Sequence, residues 1–368
     1  MRALRLALLT VAILVLAAAP ALADPALPSN YESQLVGDVG VATIDVRVEG
    51  GDSFFVLEVE PGTEVIVPGY DNDEDFSDVL ELEQYLRVLP DGTVQINSRS
   101  LAFYTNEARF GAAAPAGIEV GAGVDPVWET VASDGRVAWH DHRVHWMSPT
   151  PPDSVDTDNG GRVTEYRVPL LVDGELVVAE GTLDFVPERS PVVVGLLAVA
   201  GLVGGALLSR QDRRLGAVLL LVGGGVIVGL LLASTTGRAT GFDIATPPIA
   251  LAAVGAVALL LGATVGSLRE GQQRGLLLLG ALALFAFGLL STGIVDGFVG
   301  GPGEGFGNWW TNPTLPTDVV PTVLRYAIAA STGLAAGLFA AVVADSSADL
   351  ATLEAELRTT PREPDEDA

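Results

Sequence analysis

The chain has 368 residues, a formal net charge of −26 and no cysteine. The charge argues against nucleic acid as a natural partner, because phosphates are repelled. Without cysteine neither disulfides nor thiolate-ligated metals are available, so any metal site must use nitrogen, oxygen or thioether.

The N-terminus has a basic start (Arg2, Arg5), an apolar run from Leu6 to Ala19 and Ala21-Leu22-Ala23 before Asp24. This is the layout of a cleavable secretory signal over residues 1–23, and it predicts an exported mature chain. Composition then divides the chain near Pro191. Residues 24–190 hold 32 acidic residues against 9 arginines, whereas 191–345 is a series of apolar runs rich in Leu, Val, Ala and Gly.

The exported part, 24–190, reads as antiparallel β-structure. Val41 to Val48 and Ser53 to Glu60 flank Glu49-Gly50-Gly51-Asp52; Tyr85 to Leu89 and Thr93 to Asn97 flank Pro90-Asp91-Gly92. Val127 to Ala132 and Arg136 to Trp139 flank Ser133-Asp134-Gly135, and Val163 to Leu171 and Glu175 to Val186 flank Val172-Asp173-Gly174. Asp-Gly or Gly-Gly supplies the turn dihedrals at each junction, so four hairpins are predicted. Their spacing suggests an all-β sandwich of immunoglobulin or cupredoxin type, with Leu101 to Gly123 looping across one end. The last strand runs through Phe185-Val186-Pro187 into the apolar half with almost no linker.

All three histidines of the chain, and its one methionine besides Met1, fall in the window His140-Asp141-His142-Arg143-Val144-His145-Trp146-Met147. Imidazole and thioether are ligands for late transition metals. If the strand entering at Arg136 continues, period-two alternation puts His140 and His142 on one face, and His145 joins them only if the backbone bends near Arg143-Val144. Met147 is a candidate soft ligand suited to copper, and zinc is the rival ion because His with Asp suits it. Asp141 or a nearby carboxylate is a candidate to hold a second ring nitrogen, Trp139 and Trp146 to shield the site, and Arg143 to pair with an acidic neighbour. The competing reading makes the motif structural: a hydrogen-bonded corner with Asp141 and Arg143 as its ion pair and Met147 as filler.

The nine residues Trp139 to Met147 resemble the signature of a group of secreted, membrane-anchored actinobacterial proteins. The likeness extends through Val65 to Tyr70, Tyr85 to Val94, and Val168 to Phe185. It implies an exported β-domain on a membrane anchor, similar in architecture to periplasmic copper-handling proteins, and it implies no particular activity. The acidic insertion Asp71 to Asp78 departs from that pattern. A more distant similarity is to the copper-binding cupredoxin subunit of membrane-bound methane and ammonia monooxygenases, which has a His-x-His pair in an exported β-domain. The N-terminal histidine of that site has no counterpart at Asp24-Pro25-Ala26, which counts against an oxygenase.

Other chemistry is weaker. Asp71-Asn72-Asp73-Glu74-Asp75 starts like a calcium loop, but Phe76 and Leu82 occupy positions that require glycine and glutamate. Asp153, Asp156 and Asp158, before Gly160-Gly161, read as ordinary turn residues, with a calcium-stapled loop as the alternative. Ser148 lacks a nucleophile-elbow context, so no serine-hydrolase assignment follows.

The apolar half is read as about five spans, at 191–209, 215–234, 248–265, 275–295 and 319–343. Arg210, Arg213 and Arg214, then Arg269 and Arg274, fall in loops on one side, with Arg238 and Arg325 on the other. The positive-inside rule then places the β-domain outside the cell membrane and the acidic tail 346–368 in the cytoplasm. The spans contain no histidine, methionine or cysteine, and Asp296 is their one near-interior acid, which argues against a transport path. Gly201 and Gly205, Gly225 and Gly229, Gly262 and Gly266, and Gly333 and Gly337 have spacings that permit close helix packing. Trp309-Trp310 suits either the membrane interface or a contact beneath the β-domain.

The sequence thus predicts a membrane-anchored metal-handling or delivery protein, most readily for copper. Its partners would be the lipid bilayer and other envelope or metal-handling membrane proteins. The runner-up is an envelope interaction or assembly protein with a structural motif; a copper or zinc enzyme is third, since it needs an open coordination position.

Overall fold

A computed structural model describes residues 27–70, 76, 79, 81–106, 111–148, 150–211, 215, 218–227, 270–293, 308–315 and 321–359. The signal segment 1–23, the span at 248–265, Asp296, most of the acidic insertion and residues 360–368 lie outside them.

Ten strands form an all-β domain: β1 (Tyr31–Leu35), β2 (Ile44–Glu49), β3 (Phe54–Val59), β4 (Val65–Pro68), β5 (Gln84–Val88), β6 (Val94–Asn97), β7 (Trp128–Ala132), β8 (Arg136–Trp139), β9 (Gly161–Val172) and β10 (Glu175–Phe185). A short helix, α1 (Leu101–Thr105), lies between β6 and β7. One sheet has seven strands in the order β1-β10-β9-β4-β5-β6-β7, and the other has three, β2-β3-β8. The strand pairings among the described residues are antiparallel.

Strand periodicity explains how the sheets meet. Phe55, Leu57 and Val59 of β3 point into a core shared with Val137 and Trp139 of β8 and with Val65, Leu86, Ile96, Val168 and Leu170 of the larger sheet. Phe54 and Val56, on the alternate face, pack on Ala138 instead. Fully burying each such side chain contributes about 1.5–3 kcal/mol.

Three of the four expected hairpins form: β2 with β3, β5 with β6, and β9 with β10. At the last, Asp173 (φ 50°) and Gly174 (φ 84°) both take the positive φ that a two-residue type I′ turn requires. The fourth expectation fails. β7 pairs with β6, and β8 pairs with β3 in the other sheet, so Ser133-Asp134-Gly135 carries the chain from one sheet to the other. The Gly135 N–H donates to Gly92 O (2.9 Å) and its carbonyl accepts from Val59 N–H (2.9 Å), which holds the crossing in place. A Cβ on Gly135 would stand 2.5 Å from Val59 O, so the same Asp-Gly pair serves a close approach here rather than a hairpin.

The apolar half contributes helices α2 (Val192–Gln211), α3 (Val218–Ile227), α4 (Glu270–Leu290) and α5 (Pro321–Thr359). Among the described residues, two are long and apolar enough to cross a membrane, Val192–Gln211 and Pro321–Asp349; Val218–Ile227 and Leu277–Leu290 are shorter. The expectation of five spans is therefore not supported by the described helices. The sequence also predicts a short helical stretch at Ala348 to Leu357, and it lies within α5, which runs unbroken to Thr359 because no Gly or Pro interrupts Ala344 to Thr359 and Ala, Leu, Glu and Arg all favour helix.

α2 and α5 cross through reciprocal glycines. A Cβ on Gly201 or Gly205 would meet Ala330 O or Leu334 O at 2.4 and 2.3 Å, and one on Gly333 or Gly337 would fall against Ala198 O or Leu202 O at 1.8 and 2.0 Å. Backbone thus meets backbone, as small-residue spacing permits. The outward side of α2, with Leu196, Val199, Leu202 and Leu207, is exposed.

The β-domain is tied to the helices at one end. Residues 186–191 alone separate β10 from α2, as expected, and Arg189 N–H donates to Thr311 O at 2.7 Å. Trp309 is buried with Ile227, Phe287, Leu315, Leu324 and Ile328, while the next residues turn to the β-domain: Asn312 Nδ2 donates to Pro28 O (2.9 Å) and Thr314 Oγ1 to Ser29 O (2.6 Å). The tryptophan loop is therefore a contact beneath the β-domain.

Candidate metal centre

β8 ends at Trp139, so the strand does not continue through the motif. Asp141 stops it. Its Oδ1 accepts from Arg143 N–H at 2.9 Å, and its carbonyl accepts from Val144 N–H at 3.1 Å, which turns the chain over His142 and Arg143. Val144 is driven into the core, and the bend brings His145 back towards His140.

The three histidines converge. Ring centroids are 5.5 Å apart for His140 and His142, 4.1 Å for His140 and His145, and 4.8 Å for His142 and His145. One candidate ligand atom from each lies within 4.8 Å of the others. His140 and His145 are 6% and 3% exposed.

The rings are held from behind by backbone. His140 Nδ1 lies 2.9 Å from Ser53 O, at the start of the β2–β3 hairpin's return, and His145 Nδ1 lies 3.1 Å from Trp146 O. With Nδ1–H donating to a carbonyl, the Nε2 of each ring carries the lone pair, which is how protein partners set the tautomer of metal-binding imidazoles. His140 Nε2, His145 Nε2 and His142 Nδ1 are the buried ring nitrogens of the cluster.

Asp141 does not hold a ring nitrogen, contrary to expectation. Its carboxylate accepts from Trp139 Nε1 (2.8 Å), from Arg143 Nε (2.9 Å) and from Arg143 Nη2 (2.7 Å), all at a fully buried position. Burial opposes charge on both partners, yet Arg143's charge and hydrogen bonds hold the Asp141 carboxyl below the usual carboxylate range, and Asp141 in turn raises the guanidinium. The pair is a bidentate ion pair, the geometry in which such pairs are strongest. Trp139, Asp141 and Arg143 thus build a hydrogen-bonded corner, and the three histidines face one another beside it.

Trp139 is part of the shared core, with its ring 5.1 Å from Phe55, and Trp146 packs at the core's edge with Nε1 donating to Thr150 O at 2.7 Å. Met147 is 38% exposed. Its Cε and the Cε1 of His142 lie 3.8 and 3.7 Å from where a Cβ on Gly111 would stand, so it borders the cluster from the solvent side.

Tyr70 and Asn106 were missed by sequence reasoning. The Tyr70 hydroxyl accepts from His142 N–H at 3.0 Å and contacts Asn106 Oδ1, its ring stacks on His142 at 6.2 Å, and Arg143 lies over it at 5.0 Å. Burial and the Asp141 charge push its phenol well above the ordinary range, so it stays neutral and serves as a fixed hydrogen-bonding post. By contrast, Asp156 accepts from Asp158 N–H and Asn159 N–H (2.9 and 3.2 Å), the ordinary turn chemistry expected there.

The arrangement fits a metal by ligand type and by distance. Metal–imidazole bonds of about 2.0–2.1 Å put tetrahedral nitrogens about 3.4 Å apart, so the widest pair would close by about 1.4 Å, within reach of side-chain rotation. Comparison with known proteins finds no match among family models, curated proteins or solved structures.

Proposed function

We propose that this chain is a membrane-anchored extracytoplasmic protein that binds one late transition-metal ion through His140, His142 and His145, in metal handling or delivery. Copper is the first candidate and zinc the second. The observation that carries the reading is the convergence of three imidazoles within 4.8 Å, two of them backed by backbone carbonyls at 2.9 and 3.1 Å. A solvated surface cluster would need no such backing.

The anchoring rests on the two long apolar helices and on the exposed apolar side of α2, which suits lipid. In this reading the β-domain is an exported sandwich and the acidic charge lies outside. The bilayer and other envelope or metal-handling membrane proteins are the partners it would meet.

The test is a metal titration of the detergent-solubilised full chain against His140→Ala/His142→Ala and His145→Ala variants. One ion per wild-type chain, lost in both variants, is expected. X-ray absorption of the loaded wild-type chain should show imidazole nitrogens at about 2.0–2.1 Å. Absence of stoichiometric binding, or binding that survives in the variants, rejects the reading.

A further inference from the structure

We propose that the histidine cluster takes a monovalent soft cation, copper(I), and that Met147 is the solvent-facing ligand through which the ion enters and leaves. The inference rests on the three histidines being ligands, as above.

Charge is the first argument. Among the described residues the candidate ligand group contains His140, His142 and His145 and no carboxylate. The one acid inside the motif is already spent: Asp141 accepts from Trp139 and from Arg143. That ion pair is neutral as a unit. His140 and His145 are almost wholly buried. The electrostatic cost of burying an ion grows with the square of its charge, so neutral ligands in a dry corner accept a single positive charge far more readily than two.

Ligand type is the second argument. Neutral imidazole and thioether form a set suited to copper(I), whereas harder divalent ions favour an anionic oxygen. Asp141, the nearest carboxylate in sequence, is engaged by Trp139 and Arg143.

The position of Met147 is the third. A long apolar side chain gains by burial, yet this one is 38% exposed beside three buried neighbours of the motif, His140, Asp141 and His145. Gly111, at φ 86°, marks where the two side chains meet the neighbouring loop: a Cβ there would stand 3.7 Å from His142 Cε1 and 3.8 Å from Met147 Cε, so Met147 and His142 border the same position. A flexible thioether at such a rim can swing onto or off an ion without disturbing the rings behind it.

The experiment measures the affinity of the full chain for copper(I), held anaerobic and competed with a chromophoric chelator, and separately for zinc(II), in wild type and Met147→Leu. Wild type should prefer copper(I). Met147→Leu should lose copper(I) affinity by at least about tenfold and release the ion faster to the chelator, with zinc(II) affinity changed by less than about twofold. Retained zinc(II) binding also reports that the variant is folded. Zinc(II) binding as tight as copper(I) in wild type, or copper(I) affinity unchanged in Met147→Leu, overturns the proposal while leaving the histidine site standing. Failure of both metals to bind overturns the histidine site as well.

Discussion

The hydroxyls of Ser29 and Thr314, 285 positions apart in the chain, stand 3.0 Å from each other at the junction of the β-domain and the helices. Ser29 Oγ also donates to Asp52 Oδ1 (2.8 Å), and Asp52 precedes Ser53, whose carbonyl backs His140. The candidate metal centre therefore lies close to the helix-facing end of the domain, not at its far tip. Thr314→Val keeps the shape but removes the one hydroxyl donor, which lies 2.6 Å from Ser29 O and 3.0 Å from Tyr31 O. It should cost about 1–3 kcal/mol at this contact. Hydrogen exchange should accelerate at the amides of Ser29 and Thr314 and stay unchanged in the β9–β10 hairpin; equal rates at the junction in variant and wild type would show that the contact contributes nothing.

Removing one partner of the Asp141–Arg143 pair should be far worse than removing both. Asp141→Leu leaves a guanidinium in a corner where its own side chain is 15% exposed, and such losses cost about 3–5 kcal/mol. Asp141→Leu/Arg143→Leu should recover a large part of that. Thermal unfolding of the full chain followed by tryptophan fluorescence reads the cycle, and additive losses in the double variant would refute strong coupling.

Much of the fold was legible because its signals are local. Asp173-Gly174 specifies its turn from two residues, and the β9–β10 hairpin follows. Ser133-Asp134-Gly135 carries the same local signal, yet β8 leaves for β3, because Val137, Ala138 and Trp139 are buried and find their partners far away in sequence. The bend that recruits His145 had a readable cause, an Asp whose side chain accepts from the N–H two residues on. Ser53 and Tyr70, 87 and 72 positions from the histidines they hold, gave no local sign.

Glycines at the two crossings should be intolerant in a graded way. Gly135→Ala suffers both a left-handed φ of 72° and a Cβ 2.5 Å from Val59 O; Gly62→Ala has a φ of 99° but meets nothing within 4 Å. Gly135→Ala should lower the unfolding temperature of the β-domain clearly more than Gly62→Ala, by the equivalent of about 1–3 kcal/mol of extra strain. In the helices, Gly333→Val should separate α2 from α5, whereas Gly225→Val, with open space around it, should not. Protease sensitivity of the detergent-solubilised chain distinguishes them, and equal sensitivity of the two helix variants would contradict the crossing.

Acid should loosen the small sheet through Glu58. Arg47 Nη2 lies 2.6 Å from its carboxylate and Arg136 Nε 3.0 Å, and the Arg47 hydrogen bond holds the Glu58 carboxyl below its ordinary value. A carboxyl with a depressed folded value binds its proton more readily when unfolded. Its contribution is therefore complete above the ordinary glutamate range, about 4.3, and is lost as pH falls through the lower folded value. The Glu58 side chain is 43% exposed, so screening keeps the contribution below about 1 kcal/mol and salt weakens it further. Glu58→Gln should lower the neutral plateau at low salt by that small contribution and flatten the acid limb, the two profiles meeting once wild-type Glu58 is protonated. An acid limb identical in variant and wild type would mean that Arg47 gains as much from Asp45 and Glu49 alone, at 2.5 and 2.8 Å, as from the full cluster.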